Sequence, residues 1–172
     1  MRGARNIYTG ASVRMTPYIT LNLTERRLAE FIAKCRYETS RQKGIKNLKV
    51  SNEKVEITEL EGIASELAFC KYMNIYPDLE INVADWDCVL PDGVKVDVKT
   101  TMYSTGKLLA HLNKKGKKID VFVLALGKFP TYRFAGYAMA ADLINDDRIT
   151  DLGYGPTYAM PQSALRDIEE LR

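Results

Sequence analysis

Histidine is almost absent from this sequence. The chain of 172 residues has one, His111, in the lysine-rich segment KLLAHLNKKGKK. His-Asp triads, histidine-rich metal sites and paired-histidine phosphodiesterases all need more than this chain offers. We therefore expect His111 to be a surface or half-buried residue, and any catalysis to depend on carboxylates and lysines.

Cysteines are few, and long apolar runs are missing. The three cysteines are widely spaced and form no C-x-x-C pair, which argues against a disulfide framework and a zinc site. The first fifteen residues contain no apolar signal segment, and the longest strongly apolar run, VFVLAL at 121–126, is far too short to span a membrane. We expect a soluble cytoplasmic protein with no membrane partner.

The charge balance and the length limit the kinds of partner and the number of domains that the chain can have. The net charge is +3, from 25 basic and 22 acidic residues, which is too small to indicate nucleic-acid binding but permits a local basic surface. With 46% hydrophobic residues, the chain is long enough for one well-filled core. We therefore predict a single domain over 1–172.

Hydrophobic spacing predicts an α/β fold with a central mixed sheet and helices against it. A helix should begin near Thr24, its expected N-cap, and end near Gln42, with Leu28, Phe31, Ile32 and Cys35 buried. The other predicted elements are an arm over 1–20, a loop with a short extended piece over 44–58, a helix over 59–74, two strands around Pro91-Asp92-Gly93, a basic segment over 105–118, strands near 120–127 and 131–138, a short helix over 138–145, an extended segment at 158–160 and a terminal helix from Ser163.

The stretch WDCVLPDGVKVDVKTT at 86–101 predicts a β-hairpin with carboxylates on its strands. Pro91 suits the second position of a type I turn, and Gly93 suits the left-handed position after it. Leu90 then pairs with Val94, and counting back places Asp87 opposite Asp97.

Alternation along the second strand separates charged from apolar side chains. Asp97 and Lys99 share one face, while Val96 and Val98 fill the other. Like charges on opposed residues are unfavourable unless a positive charge lies between them. The hairpin thus predicts a place where a cation would be favourable. On this reading, Asp97→Asn should be at least as stable as the wild type in chelator.

A third carboxylate comes from the second predicted helix. The helical neighbours of Glu66 include Ile63, Phe69 and Cys70, so this acid projects from an apolar surface, whereas Glu61 can face water more easily. A charge in such a position is usually paired or coordinated, because burying it alone is costly.

Three carboxylates and a lysine are suited to phosphodiester hydrolysis. Magnesium and manganese prefer oxygen ligands, which Asp87, Asp97 and the carbonyl of Val98 could supply. Glu66 would complete the site directly or through a water. Lys99 would orient or help deprotonate the attacking water, or offset charge on the phosphate.

The order of these residues resembles the PD-(D/E)xK nuclease superfamily. The resemblance lies in a helix glutamate (Glu66), a strand aspartate (Asp87) and the run Asp97-Val98-Lys99, within a core over 55–140. The segments EGIASELAFCKYMNIYPDL and DGVKVDVKTT resemble small nuclease-like proteins of bacteriophages and prophages. Asp97 stands where many members have glutamate.

This resemblance implies a restriction-endonuclease-like core and a Mg²⁺- or Mn²⁺-dependent endonuclease that acts on DNA. Glu66, Asp87, Asp97 and Lys99 are the implied catalytic residues, and a phage-encoded protein would act in the host cytoplasm. Two alternatives remain: a structure-specific, junction-resolvase-like nuclease working as a homodimer, and a non-catalytic nucleic-acid-binding or phage–host interaction protein with the same fold.

A basic segment directly follows the predicted catalytic strand and would be well placed to hold DNA phosphates. Arginines of the first helix, among them Arg36, could extend that surface. The candidate phosphate-contacting residues are Thr100, Thr101, Lys107, Lys114, Lys115, Lys117 and Lys118.

Overall fold

The computed structural model describes residues 16–42, 52–80 and 85–172. The predicted arm lies outside the described residues up to position 15, and so does the segment 43–51. The helices are α1 (Leu23–Gln42), α2 (Asn52–Met73) and α3 (Ala140–Leu143). The strands are β1 (Ile19–Thr20), β2 (Cys88–Val89), β3 (Lys95–Thr101), β4 (Leu108–His111), β5 (Val121–Lys128), β6 (Thr131–Met139), β7 (Ile149–Asp151) and β8 (Pro156–Met160).

Two sheets organise the described part of the chain. A five-stranded mixed sheet has the order β1-β6-β5-β3-β2, in which β3 and β5 are parallel. A three-stranded antiparallel sheet has the order β4-β8-β7. The connection from β3 to β5 runs through β4 and a 3₁₀ turn, instead of the α-helix that commonly joins parallel strands.

The five-stranded sheet is the middle of three layers. Helices α1 and α2 pack on the face that carries Val96 and Val98, while Phe122 on the opposite face packs with apolar residues of β4 and β8. This confirms the predicted α/β fold with a mixed sheet and helices against it. Asp97 pairs with Phe122 in register and therefore lies on the face toward the small sheet.

The predicted hairpin register is confirmed. Val89 pairs with Lys95, and Cys88 pairs with Val96. The amide of Gly93 donates to the carbonyl of Leu90 over 2.9 Å, and Gly93 has a φ of 91°, as the three-residue loop requires. The strand order and this register place the charged half of β3 at an edge of the larger sheet.

The helix boundaries differ from the prediction in several details. Helix α1 is capped by Asn22, not Thr24: the Asn22 side chain accepts from the Glu25 amide over 3.0 Å, and Glu25 accepts from the Asn22 amide in return. Phe31 was predicted to be buried but is 66% exposed. Helix α2 begins at Asn52 and not at the predicted position 59, because the glutamates and the lysine between these two positions favour helix.

The predicted C-terminal helix is wrong. Two 3₁₀ turns, Gln162–Ala164 and Ile168–Leu171, replace it. Between them, the Arg166 amide donates to the Tyr137 carbonyl over 2.8 Å, and the Tyr137 amide donates back over 3.1 Å. Pairing with β6 thus competes successfully with local helix formation. Within the described ranges, none of the helices combines the length and the apolar character needed to cross a membrane.

Candidate active site

Asp97 lies at the centre of the candidate site. Its side chain is only 1% exposed, in the middle of β3. Lys99 Nζ forms an ion pair with Oδ1, and Lys114 Nζ forms one with Oδ2. Within the described ranges Oδ1 accepts no hydrogen bond, so its contact with Lys99 is an ion pair alone. A buried carboxylate therefore lies between two ammonium groups, and a cation that binds it would have to displace one of them or share an oxygen with it.

Asp87 joins the site through the backbone of β3. Its Oδ2 accepts a hydrogen bond from the Val98 amide over 2.7 Å, so its carboxylate lies beside the edge of β3. Burial raises the pKa of Asp87 to about 8, and the charges of Glu66 and Asp97 add to the rise. At neutral pH, without a cation, we expect this carboxyl group to be mainly protonated.

Glu66 reaches the site from α2. Arg36 of α1 holds it with two contacts: Nη1 donates to Oε1 over 3.3 Å, and Nη2 lies 3.2 Å from Oε2. Burial raises the pKa of the Glu66 carboxyl, whereas the charges of Arg36 and Lys99 lower it and that of Asp97 raises it. Glu66, the acid predicted to project from an apolar surface, thus pairs with Arg36. Its pKa also depends on the charges of Lys99 and Asp97 on β3.

These groups meet at a free edge. β2 pairs with β3 only at Lys95 and Val96, and beyond them no other strand of the described ranges pairs with that side of β3. The N–H and C=O groups of one strand residue point to the same side, so the Val98 carbonyl faces the same edge as the amide that Asp87 binds. Asp87, Asp97 and Lys99 thus share this part of β3, and Glu66 is close enough for its charge to raise the pKa of Asp87.

The donor set suits a hard divalent cation, although it is not a closed metal site. No group of three or more His, Cys, Asp or Glu side chains in the described ranges is arranged to hold a metal ion. Mg²⁺ usually needs only one or two carboxylates and keeps several waters. Asp87, Asp97 and the Val98 carbonyl are oxygen donors of the kind that Mg²⁺ takes, although both carboxylate oxygens of Asp97 already contact lysines. Glu66 remains with Arg36, which favours an indirect role.

The predicted phosphate-binding lysines divide into two groups. Three have carboxylate partners: Lys114 with Asp97, Lys115 with Asp146 over 3.0 Å, and Lys117 with Asp85 over 2.8 Å. Lys107 and Lys118 are exposed and form no ion pair within the described ranges. Lys107 and Lys118 could therefore contact a phosphate without first breaking an ion pair.

The two threonines after Lys99 are engaged inside the protein. Thr100 Oγ1 donates to Ser65 Oγ of α2, which places this hydroxyl on the helix side of the sheet. Thr101 Oγ1 accepts from the Tyr103 amide over 3.3 Å. To donate to a phosphate, Thr100 would have to give up its hydrogen bond to Ser65, whereas the O–H of Thr101 remains free to donate. His111 is exposed at the end of β4, as expected.

Sequence reasoning missed two cations and misjudged one acid. Lys114 was expected at phosphate and Arg36 on the basic surface, yet both hold site carboxylates. Arg36 lies four residues after buried Ile32, which is a helical signal that it faces inward. Glu61 was expected to face water, but it accepts hydrogen bonds from the Phe129 amide and the Tyr132 hydroxyl.

The fold and the site define an α/β protein with a cluster of carboxylates and lysines at a sheet edge. No protein-family model matches the chain, and neither a curated protein nor a solved structure matches it. The nuclease assignment therefore depends on the motif order and on the geometry at β3.

Proposed function

We propose that this protein is a divalent-metal-dependent deoxyribonuclease with a restriction-endonuclease-like core. The observation that carries the proposal is the convergence of Glu66, Asp87 and Asp97 with Lys99 at the edge of β3. Asp87 and the Glu66 carboxyl both have raised pKa values, partly because like charges lie close together. A cation would relieve that repulsion.

Asp87, Asp97 and the carbonyl of Val98 would hold Mg²⁺ or Mn²⁺. When bound, the cation would polarise the scissile phosphate and acidify a water molecule. Lys99 would orient the attacking water, help to deprotonate it, or offset charge that develops on the phosphate. Its side chain is partly exposed, so it can be reached from solvent. Arg36 would keep Glu66 in position.

A second function is favoured by the ion pairs themselves. Lys99 and Lys114 neutralise Asp97, and Arg36 neutralises Glu66, without any added cation. This arrangement would also suit a DNA-binding protein that keeps the fold but does not turn over substrate. In either case, DNA is the proposed partner and the cytoplasm the proposed location, which is the cytoplasm of the bacterial host if the protein is phage-encoded.

The test is cleavage of supercoiled, linear, single-stranded and branched DNA with Mg²⁺, with Mn²⁺ and with chelator. We expect cleavage only with metal, and its loss in Lys99→Ala while the fold survives. Lys128→Ala is the matched control, since this lysine is exposed at the C-terminal end of β5 and forms no ion pair with the site carboxylates within the described ranges. Preference for branched DNA together with a dimer would indicate the resolvase-like form.

Cleavage by carefully purified Lys99→Ala at the wild-type rate would refute the assigned role of this lysine. DNA binding by the wild type without cleavage in any metal would favour the non-catalytic function.

A further inference from the structure

Two large side chains project from the loop that follows the candidate catalytic strand. Met102 is 66% exposed and Tyr103 is 69% exposed. Single exposed apolar residues are common, but two adjacent ones beside a candidate site form a patch that could contact a ligand. The pair directly follows Thr101, the last residue of β3.

The backbone of this loop is fixed although its side chains are exposed. The Gly106 amide donates to the Tyr103 carbonyl over 2.9 Å. Gln162 Nε2 donates to the carbonyls of Ser104, over 2.9 Å, and Gly106, over 2.8 Å. At Gly106, a Cβ atom would lie 2.4 Å from Thr101 Cγ2 and 3.0 Å from the Tyr103 carbonyl oxygen, so a larger residue would force this loop to shift. These hydrogen bonds hold the backbone of the loop that carries the exposed Tyr103 side chain.

The charge around the loop favours an anionic polymer as partner. Between Val98 and Ile119 there are six lysines and no aspartate or glutamate. Lys107 is exposed in the same loop. An apolar protein surface would find no complementary charge here, whereas a nucleic-acid strand would find both cations for its phosphates and a ring for its bases.

The spacing along β3 also fits a strand of DNA. Tyr103 is four residues beyond Lys99 and two beyond the end of β3, so their Cα atoms are at most about 14 Å apart. Nucleotides of one strand are about 3.4 Å apart along a duplex axis. Tyr103 therefore lies within a few nucleotides of a phosphate bound at Lys99.

We propose that Tyr103 stacks on an unpaired base of the DNA strand that flanks the scissile phosphate. This inference rests on the proposed function and assigns it a substrate class: DNA with unpaired bases near the cut. Stacking on an aromatic ring does not depend on base identity, because every base has a π-face. The loop would thus select for strand opening and not for sequence.

The test measures binding of the full-length protein to oligonucleotides in chelator, so that no cleavage occurs. Single strands containing 2-aminopurine report stacking by fluorescence quenching, and blunt duplexes serve as the unopened form. Tyr103→Ala should weaken single-strand binding about fivefold or more and abolish the quenching. Tyr103→Phe should retain both, and duplex binding should be unchanged. The slope of log affinity against log salt should also stay at the wild-type value, since no phosphate contact is lost.

Tyr154→Ala is the matched control, because Tyr154 is 87% exposed in a different loop. Stacking by Tyr103 is refuted if Tyr103→Ala binds single strands like the wild type, if Tyr154→Ala loses as much affinity, or if Tyr103→Phe loses as much as the alanine variant. Parallel assays with metal separate the two proposals. Normal cleavage with unchanged Tyr103→Ala binding refutes stacking alone, while Tyr103-dependent binding without cleavage refutes the nuclease alone. A wild type that binds no DNA refutes both.

Discussion

Lys114 Nζ forms an ion pair with the buried carboxylate of Asp97, from a 3₁₀ turn that follows β4. The two residues are seventeen positions apart in the chain and belong to different layers of the fold. Lys114 therefore provides a positive charge on one of the two carboxylates that would bind a metal. A metal at Asp97 would therefore bind against this internal cation as well as against Lys99.

Replacing Lys114 by methionine should tighten metal binding. Two unit charges 4 Å apart interact by about 4 kcal/mol at an effective dielectric constant of 20. Removing even part of the repulsion between Lys114 and a bound metal ion should lower the dissociation constant of the metal about tenfold or more. Calorimetric titration with Mg²⁺ and Mn²⁺ measures this constant. Lys115→Met is the control, because Lys115 pairs with the exposed Asp146. Equal metal affinities for wild type and Lys114→Met would show that Lys114 does not compete.

Asp97→Asn should be less stable than the wild type in chelator, which is the opposite of the expectation from the sequence. The reason is that two lysines pair with Asp97. This change leaves Lys99 and Lys114 close together without their shared anion. Removing one partner of a buried ion pair costs about 3–5 kcal/mol, and we expect the low end because both lysines are partly exposed. Urea unfolding in chelator measures the loss, and metal should stabilise the mutant far less than the wild type. A mutant as stable as the wild type in chelator would contradict the role of these ion pairs.

The metal-free protein should become less stable as the pH rises from about 4 to about 8. Asp87 has a pKa raised to about 8 in the fold, mainly by burial, compared with 3.8 for an ordinary aspartate. Its native proton stabilises the fold fully below pH 4, and this contribution is lost as the pH rises to about 8. The slope from this group is at most about 1.4 kcal/mol per pH unit.

Asp87→Asn removes this titration and can keep the acceptor for the Val98 amide. Urea unfolding in chelator at several pH values should therefore give a flatter curve for Asp87→Asn than for the wild type. Parallel curves would show that Asp87 is ionised in the metal-free fold throughout this range.

Salt dependence should distinguish the unpaired lysines from the paired ones. Each phosphate contact contributes about 0.9 to the slope of log affinity against log salt on duplex DNA. Replacing Lys107 and Lys118 by glutamine should lower the slope by nearly twice that amount. Lys115 and Lys117 must first leave Asp146 and Asp85, so their replacement should have less effect. Binding measured from low to moderate salt tests this, with Lys128→Gln as the control. A slope unchanged by the Lys107 and Lys118 replacements would exclude them from the DNA interface.

Local patterns predicted the hairpin and the acids on β3, because turn residues and strand alternation act over a few positions. The register at Cys88 and Val96 followed directly from Pro91 and Gly93. Partners across the fold were not predictable in this way. Lys114 reaches Asp97 only because β4 joins a second sheet over the same face, a topology that no local spacing reveals. The helix predicted from Ser163 failed for the same reason, since Arg166 pairs with Tyr137 from distant β6.

The hydrogen bond from the Val98 amide to Asp87 also bears on the solubility of the protein. Free strand edges can recruit a strand from another molecule, and proteins commonly protect them with charged side chains. Asp87 occupies a donor on the free edge of β3, and the partly exposed Lys99 places a charge on the same strand. Replacing these residues with apolar ones would remove the site. It would also leave an unprotected strand edge that can pair with another molecule. Loss of activity in such variants should therefore be accompanied by aggregation, which isosteric changes such as Asp87→Asn would largely avoid.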